Sequence, residues 1–225
     1  MQMKQGLLKL VGAKRFPLWG IAGSVVGLVF VLGAMIPYVG RNGEPFSIFN
    51  HFISELGEVG VSELSIMFNV GLIYAGVLFI PFMIGLGLYM DNIIAKLAAV
   101  VGVFSSVAII FVGIFPENFL AEHTAAAMSF FLSGMVMTGL WTLAILLQHT
   151  SKVHKALSIV GLLNVVVFAA FLFGDYGDIG SLVDRPDFWM LPTLEWAIYF
   201  AVIGYLLLIS VYVWRKEKGA SSNQS

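Results

Sequence analysis

The run Phe46-Ser47-Ile48-Phe49-Asn50-His51-Phe52-Ile53-Ser54-Glu55-Leu56-Gly57-Glu58 holds the densest set of polar side chains in a largely apolar chain. At about 100° per residue, Phe49, Phe52, Ile53 and Leu56 fall on one stripe, while Asn50, His51, Ser54, Glu55 and Glu58 take the opposite arc. This spacing predicts a short amphipathic helix over 47–57, ended by Gly57 or Gly60, with His51 and Glu55 neighbours at i, i+4. Such a helix can lay its apolar stripe in a membrane interface and leave the polar arc in water. It can also turn the arc inward, over a vestibule where His51, Ser54 and Glu55 meet groups from other loops. Three further positions could complete a vestibule: Glu117 after Pro116, His123 after Glu122, and Glu195 after Pro192 and Thr193. A carboxylate near a helix start also suits the macrodipole, which by itself accounts for Glu122 and Glu195.

The candidate ligand-binding set is therefore Asn50, His51, Ser54, Glu55, Glu117, His123 and Glu195. The carboxylates supply charge, the imidazoles supply donors or a pH-sensitive switch, and Ser54 fixes orientation. A lipid headgroup or a cation is the ligand these groups suit. No cofactor is predicted, but His51, His123 and Glu55 have the ligand types of a zinc site with an open water position. That zinc reading gives the alternative function, a membrane-embedded metal-dependent hydrolase acting on a lipid. No spacing enforces it: no two-histidine helical motif with its glutamate occurs, and His149 and His154 lie in basic segments. Ser54 lies three residues from His51, yet no oxyanion donors accompany the pair as a nucleophilic site requires. Cysteine is absent, which excludes thiol nucleophiles and thiolate metal sites.

The elements that must hold these residues are apolar spans. Apolar residues make up 59% and charged residues 11% of the 225 positions, where a soluble domain carries roughly a quarter charged. So few charges cannot clothe the chain in water, and its outer surface must be lipid. Stretches near 16–39, 66–90, 95–115, 122–148, 155–174 and 190–214 can each cross a hydrocarbon layer of ~30 Å as a helix. The expected fold is an all-α bundle of six transmembrane helices, with the short amphipathic helix in the first outer loop. Spans two and three form a hairpin around the tight connector from Asp91 to Lys96, and Pro81 should kink the second. Asp175 and Asp178 read as turn residues at a span end, although their spacing could also hold a hard cation.

Of the twelve lysines and arginines, all but Arg41 and Arg185 occupy residues 1–15, 96, 152, 155 and 215–218. These are alternate connections, and acidic residues fill the others. The positive-inside rule then predicts a multi-pass protein of the cell membrane with both termini cytoplasmic. Charges separated by side make no basic patch, so nucleic acid is excluded as a partner and membrane lipids are expected. The first apolar stretch is too long for a secretory signal, so it reads as an uncleaved span. Residues 1–15 read as a cytoplasmic interfacial segment and 215–225 as a disordered cytoplasmic tail around the domain at 16–214. No charged residue sits mid-span, which disfavours an ion-coupled pump or a charge-selective channel. Asn164 is the most polar deep residue. Gly23 with Gly27, and Ala126 with Ser129 and Ser133, mark small-residue faces for helix contacts. Through them a homo-oligomer, or a structural and assembly role, is the third alternative.

Taken together, Phe49–Gly57, the segment Phe68-Asn69-Val70-Gly71-Leu72, and Gly113-Ile114-Phe115-Pro116-Glu117 with His123 resemble the prokaryotic six-helix membrane family called domain of unknown function 998. More remotely, the chain looks like the eukaryotic Frag1/DRAM/Sfk1 membrane proteins. The first resemblance covers nearly the whole chain. A Ser-Glu-Leu-Gly segment, a Gly-x-x-Pro turn and a following histidine recur in that family, and correspond here to Ser54–Gly57, Gly113–Pro116 and His123. The resemblance implies the six-helix fold and marks the outer cluster, favouring its inward-facing arrangement. It implies no reaction.

Overall fold

The computed structural model of the chain describes residues 15–176 and 185–222. All but Arg15 of the expected interfacial segment, together with Asp178 and residues 223–225, lies outside the described residues. The helices are α1 (Phe16–Met35), α2 (Ser65–Met90), α3 (Ile93–Ile114), α4 (Leu120–Leu146), α5 (Leu157–Phe173) and α6 (Met190–Ser222), with a 3-10 helix at Ile53–Gly57. Among the described residues the only extended pairings are two isolated bridges, Val39 with Pro45 and Val59 with Ser62. The all-α expectation holds.

Five helices, α1 to α4 and α6, are long and apolar enough to cross a membrane, while α5 has 17 residues and is shorter. Their outward side chains are apolar: Ile66, Val100 and Leu163 are all more than half exposed. A surface of this kind needs hydrocarbon around it, and the chain is an integral membrane protein. Each helix packs on its neighbours in sequence, and α1 packs on α6, so the six helices close into a ring. Short connectors make that order natural. The α2–α3 turn uses a left-handed Asp91 and an Asn92 cap whose side chain accepts from the Ala95 amide at 2.8 Å. Between α4 and α5, Gln148 donates to the Ile145 and Val153 carbonyls and accepts from the Lys152 and Val153 amides.

Small residues let the ring close. A Cβ on Gly23 would stand 3.0 Å from the Phe79 ring of α2, and one on Gly27 3.3 Å from Ile203 of α6. The Gly23–Gly27 face is thus filled by the chain's own helices. Hydroxyls inside the ring bond back along their own helices, as Ser24 does to Gly20 and Thr138 to Gly134. Buried Asn164 does the same, donating to the Val160 carbonyl at 2.9 Å and not to a neighbouring helix.

Two boundaries depart from expectation. Helix α1 stops at Met35 instead of running to 39, because Tyr38 turns into the core beside Leu56 and Trp196. Helix α6 continues to Ser222, so the tail at 215–225 is helical that far. Side chains hold it there: Tyr89 donates to Glu217 at 2.9 Å, Lys216 reaches the Ser151 carbonyl, and Lys218 lies over the Trp214 ring. At the opposite end of the ring, the connection between α1 and α2 folds inward as a plug, joined by the strand of chain at 185–189. Trp196 of α6 donates to the His51 carbonyl at 3.1 Å, and the Trp189 amide donates to the Phe49 carbonyl at 2.7 Å.

Candidate functional site

The plug is where the polar residues gather, and the continuous amphipathic helix expected over 47–57 does not form. A turn runs through Ser47–His51, Phe52 is extended (φ −64, ψ 146), and a 3-10 helix follows. The break centres on one side chain. Glu55 folds back so that Oε1 accepts from the Phe52 amide at 2.7 Å, capping a new helix instead of continuing the old one. His51 and Glu55 are therefore not stacked at i, i+4, although both are buried, at 1% and 3% exposure.

Glu55 is held by Arg185 from far along the chain. Arg185 Nη1 donates to Oε1 at 2.9 Å and Nη2 to Oε2 at 2.7 Å, a two-pronged pair with the arginine side chain 7% exposed. Nη1 also reaches the Asn50 carbonyl at 3.0 Å. Burial alone would favour the neutral guanidine, but Glu55 outweighs it and raises the Arg185 pKa. Arg185 was legible only as an interruption of the acidic loops; its partnership carries no sequence signal. Glu44, Tyr38 and Asn69 are likewise site residues that spacing did not reveal.

The break splits the expected single vestibule in two. On the outer side lies a basin of about 430 Å³ lined by Asn42, Glu44, Pro45, Ser47, Asn50, His51, Arg185 and Asp187. On the inner side, Ile53, Ser54, His123 and Glu195 roof a cavity of about 100 Å³ within the ring. His51 and Ser54 thus face different spaces and form no nucleophile–base pair. Below its roof the cavity is lined mostly by apolar side chains, among them Leu72, Ala75, Phe79, Met83, Val202 and Leu206, together with Ser105 and Ser106. Along α2 the lining residues run from Phe68 to Met83, a rise of about 22 Å at 1.5 Å per residue. Glu195 Oε2 accepts from the Ile53 amide at 2.7 Å, tying the roof to α6. His123 Nδ1 lies 2.8 Å from the Phe115 carbonyl, which can only accept, so Nδ1 donates.

Glu117 has its Oε2 buried and without a hydrogen-bond partner. Burial, reinforced by the charges of Glu55 and Glu58, pushes its carboxyl up to about 7. In the basin, burial pushes Glu44 up as well, but the amides of Glu44 and Asn42, with Arg185 and His51, hold it below the usual carboxylate range. His51 is lowered, by burial first, against the pull of Glu55.

The zinc set of His51, His123 and Glu55 is not assembled. Glu55 is committed to Arg185, and His51 and His123 face different spaces. Among the described residues no three His, Asp or Glu side chains are placed to hold one metal ion.

The motif residues do meet. The Asn69 side chain donates to the Gly57 carbonyl at 2.9 Å, and a Cβ on Gly57 would stand 2.5 Å from Asn69 Oδ1. A Cβ on Gly113 would stand 2.5 Å from the Asn69 carbonyl. These glycines let the 3-10 helix and α3 approach α2 at one point. Nearby, the Asn118 side chain exchanges two hydrogen bonds with the Val59 backbone, at 2.8 and 3.0 Å.

Among known proteins, the family described as "Protein of unknown function (DUF998)" matches residues 24–215. No curated protein and no solved structure matches the chain.

Proposed function

Because the chain belongs to the DUF998 family, whose function is unknown, we propose its role from its own geometry: it takes the hydrocarbon chain of a membrane amphiphile into the slot inside its helix ring. The polar end of that amphiphile rests beneath the plug, at Ser54, His123 and Glu195. One observation carries this reading. The cavity lining is largely apolar, with Ser105, Ser106 and Tyr199 the exceptions below the polar groups of its roof. Ligand sites between bundle helices have this make-up, with few polar groups fixing orientation. A chain-shaped slot suits an acyl or prenyl tail better than a compact ring.

All six helices cross the bilayer in this reading. Helix α5 rises about 25 Å at 1.5 Å per residue, and thinning or flanking residues accommodate so small a mismatch. Lys96, Lys152, Lys155 and the end of α6 then lie in the cytoplasm of the cell, and the plug faces outward.

Two experiments test this. Native mass spectrometry of the protein from mild detergent should show a bound lipid, and Ala75→Phe, which fills the slot, should reduce it at least tenfold with helix content unchanged. A lipid adduct unaffected by Ala75→Phe, or a wild-type protein that takes up no fatty acid or prenol probe, overturns the proposal. For topology, the absence of cysteine allows single-site labelling at Val59→Cys and Lys155→Cys. Labelling of both from the same side overturns the six-span orientation.

A further inference from the structure

Three buried polar atoms converge in the outer basin without hydrogen-bond partners: Glu44 Oε1, His51 Nε2 and Arg185 Nε. The carboxylate oxygen lies 3.7 Å from each of the two nitrogens, too far for a direct hydrogen bond and close enough for a hydroxyl to bridge it to either one. Their donor and acceptor roles can be assigned. Asn50 Nδ2 donates to the Pro186 carbonyl at 3.0 Å, which fixes the amide and points Oδ1 at His51 Nδ1, 2.7 Å away. Nδ1 therefore donates to that oxygen, the Ser47 amide standing farther off at 3.3 Å, and Nε2 presents a lone pair. The basin thus offers one donor, Arg185 Nε–H, and two acceptors, Glu44 Oε1 and His51 Nε2. Burial favours the neutral imidazole this pattern requires.

That pattern selects a ligand class. An anion would meet the carboxylates of Glu44 and Asp187. A cation would share the basin with the Arg185 guanidinium, and no three ligating side chains are assembled for a metal among the described residues. A hydroxyl both donates and accepts, and two adjacent hydroxyls satisfy all three atoms. A single water takes about 30 Å³, whereas the basin has about 430 Å³. Phe49 and Phe188, each about half exposed and with ring centroids 6.5 Å apart, stand next in the chain to Asn50 and Asp187.

We propose that the outer basin binds the vicinal hydroxyls of a polyol, a sugar-type or glycerol-type group, through Glu44, His51 and Arg185. The site is separate from the helix-ring slot and does not depend on it. Its source is either a lipid headgroup or a free polyol. The test uses the full chain in phosphatidylcholine nanodiscs, with and without glucosyl diacylglycerol, and with methyl glucoside as the soluble probe. Fluorescence of Trp196, whose indole bonds the His51 carbonyl, and calorimetry report binding.

Saturable binding of the glucosyl lipid but not of methyl glucoside assigns a headgroup; binding of both assigns a free polyol. Either supports the proposal if His51→Phe and Glu44→Gln each weaken binding at least tenfold and tetrahydropyran, which lacks the hydroxyls, does not bind. Phenylalanine keeps the ring that packs on Tyr38 and Phe46. If either variant fails to fold, Asp187→Ala at the exposed rim should still weaken binding at least threefold. Binding of neither probe, which means a structural water only, overturns the proposal. So does affinity unchanged in these variants.

Discussion

The two ends of the helix ring solve the same problem, closing a bundle in water, by opposite means. At the basic end the connectors are short, and their charges stay in solvent: Lys96 and Asp91 lie 3.4 Å apart, each about half exposed. At the plug end the α1–α2 and α5–α6 connectors are long, and the charges go inside, where Arg185 grips Glu55 in a pair less than a tenth exposed. An exposed pair contributes about 0–1 kcal/mol because water screens it. A buried pair is different in kind. Forming it costs desolvation, and removing one partner strands the other. The basic end is thus held largely by hydrogen bonds between neutral side chains and the backbone, as at Gln148 and Asn92, and the plug by a few charges whose loss the fold cannot absorb.

The sharpest break of that comparison is Glu55→Ala. It takes the two-pronged partner from the buried Arg185 guanidinium, leaving Glu44 at 3.7 Å as its remaining carboxylate, and removes the cap on the Phe52 amide. A loss of about 3–5 kcal/mol is expected, read as a lowered midpoint in denaturant titration of the detergent-solubilised protein. Replacing both residues by Leu should recover part of it, since no stranded charge remains. If Glu55→Ala costs no more than a surface change, the pair does not hold the plug.

Glu117 sharpens the contrast through pH. Its folded carboxyl sits at about 7, above the ordinary 4.5, mainly by burial. The folded state therefore binds this proton more tightly than the unfolded chain. The sign follows: its contribution is fully present below about 4.5, falls as pH rises to about 7, and is gone above. At 1.36 kcal/mol per pH unit the whole excursion is at most about 3 kcal/mol. Glu117→Gln should flatten stability between pH 4.5 and 7 and exceed the wild type at pH 8. Parallel pH curves for the two proteins would show that Glu117 titrates as an exposed acid. Trp196→Phe comes next, with about 1–2 kcal/mol lost as the buried His51 carbonyl gives up its donor. Thermal melting of the variant measures it, and an unchanged melt would mean that the carbonyl finds another donor.

How much of this the residues announce also differs between the ends. Apolar runs bounded by Pro116, Asp91 and the basic clusters place each helix core within a few positions, because lipid burial demands length and punctuation and little else. The plug obeys long-range terms instead. Periodicity carries a regular helix straight through Phe52, since nothing in Asn50-His51-Phe52-Ile53 is a helix breaker. The break comes from the Glu55 side chain and from an arginine 130 positions away. The same break puts Ser54 under the roof and His51 in the outer basin, so one expected vestibule becomes two spaces. Arg185 stood out as a basic residue on an acidic side, which flags it without naming its partner. Gly57, Asn69 and Gly113, read as family marks, turn out to be the point where the 3-10 helix, α2 and α3 touch.

The smallest expected effect tests the quiet end. Lys96→Ala removes the exposed partner of Asp91 and should shift stability by no more than about 0.5 kcal/mol, within the range of surface substitutions. Asp91 itself matters for a different reason: it ends α2 with φ 53, a left-handed conformation that glycine adopts without cost. Asp91→Gly should therefore be neutral or slightly stabilising although it deletes a charge, whereas Asp91→Val should destabilise by straining that turn. Together the two substitutions separate backbone geometry from charge. If Asp91→Gly and Lys96→Ala instead cost as much as Glu55→Ala, the basic end also depends on its ion pair, and the contrast between the ends fails.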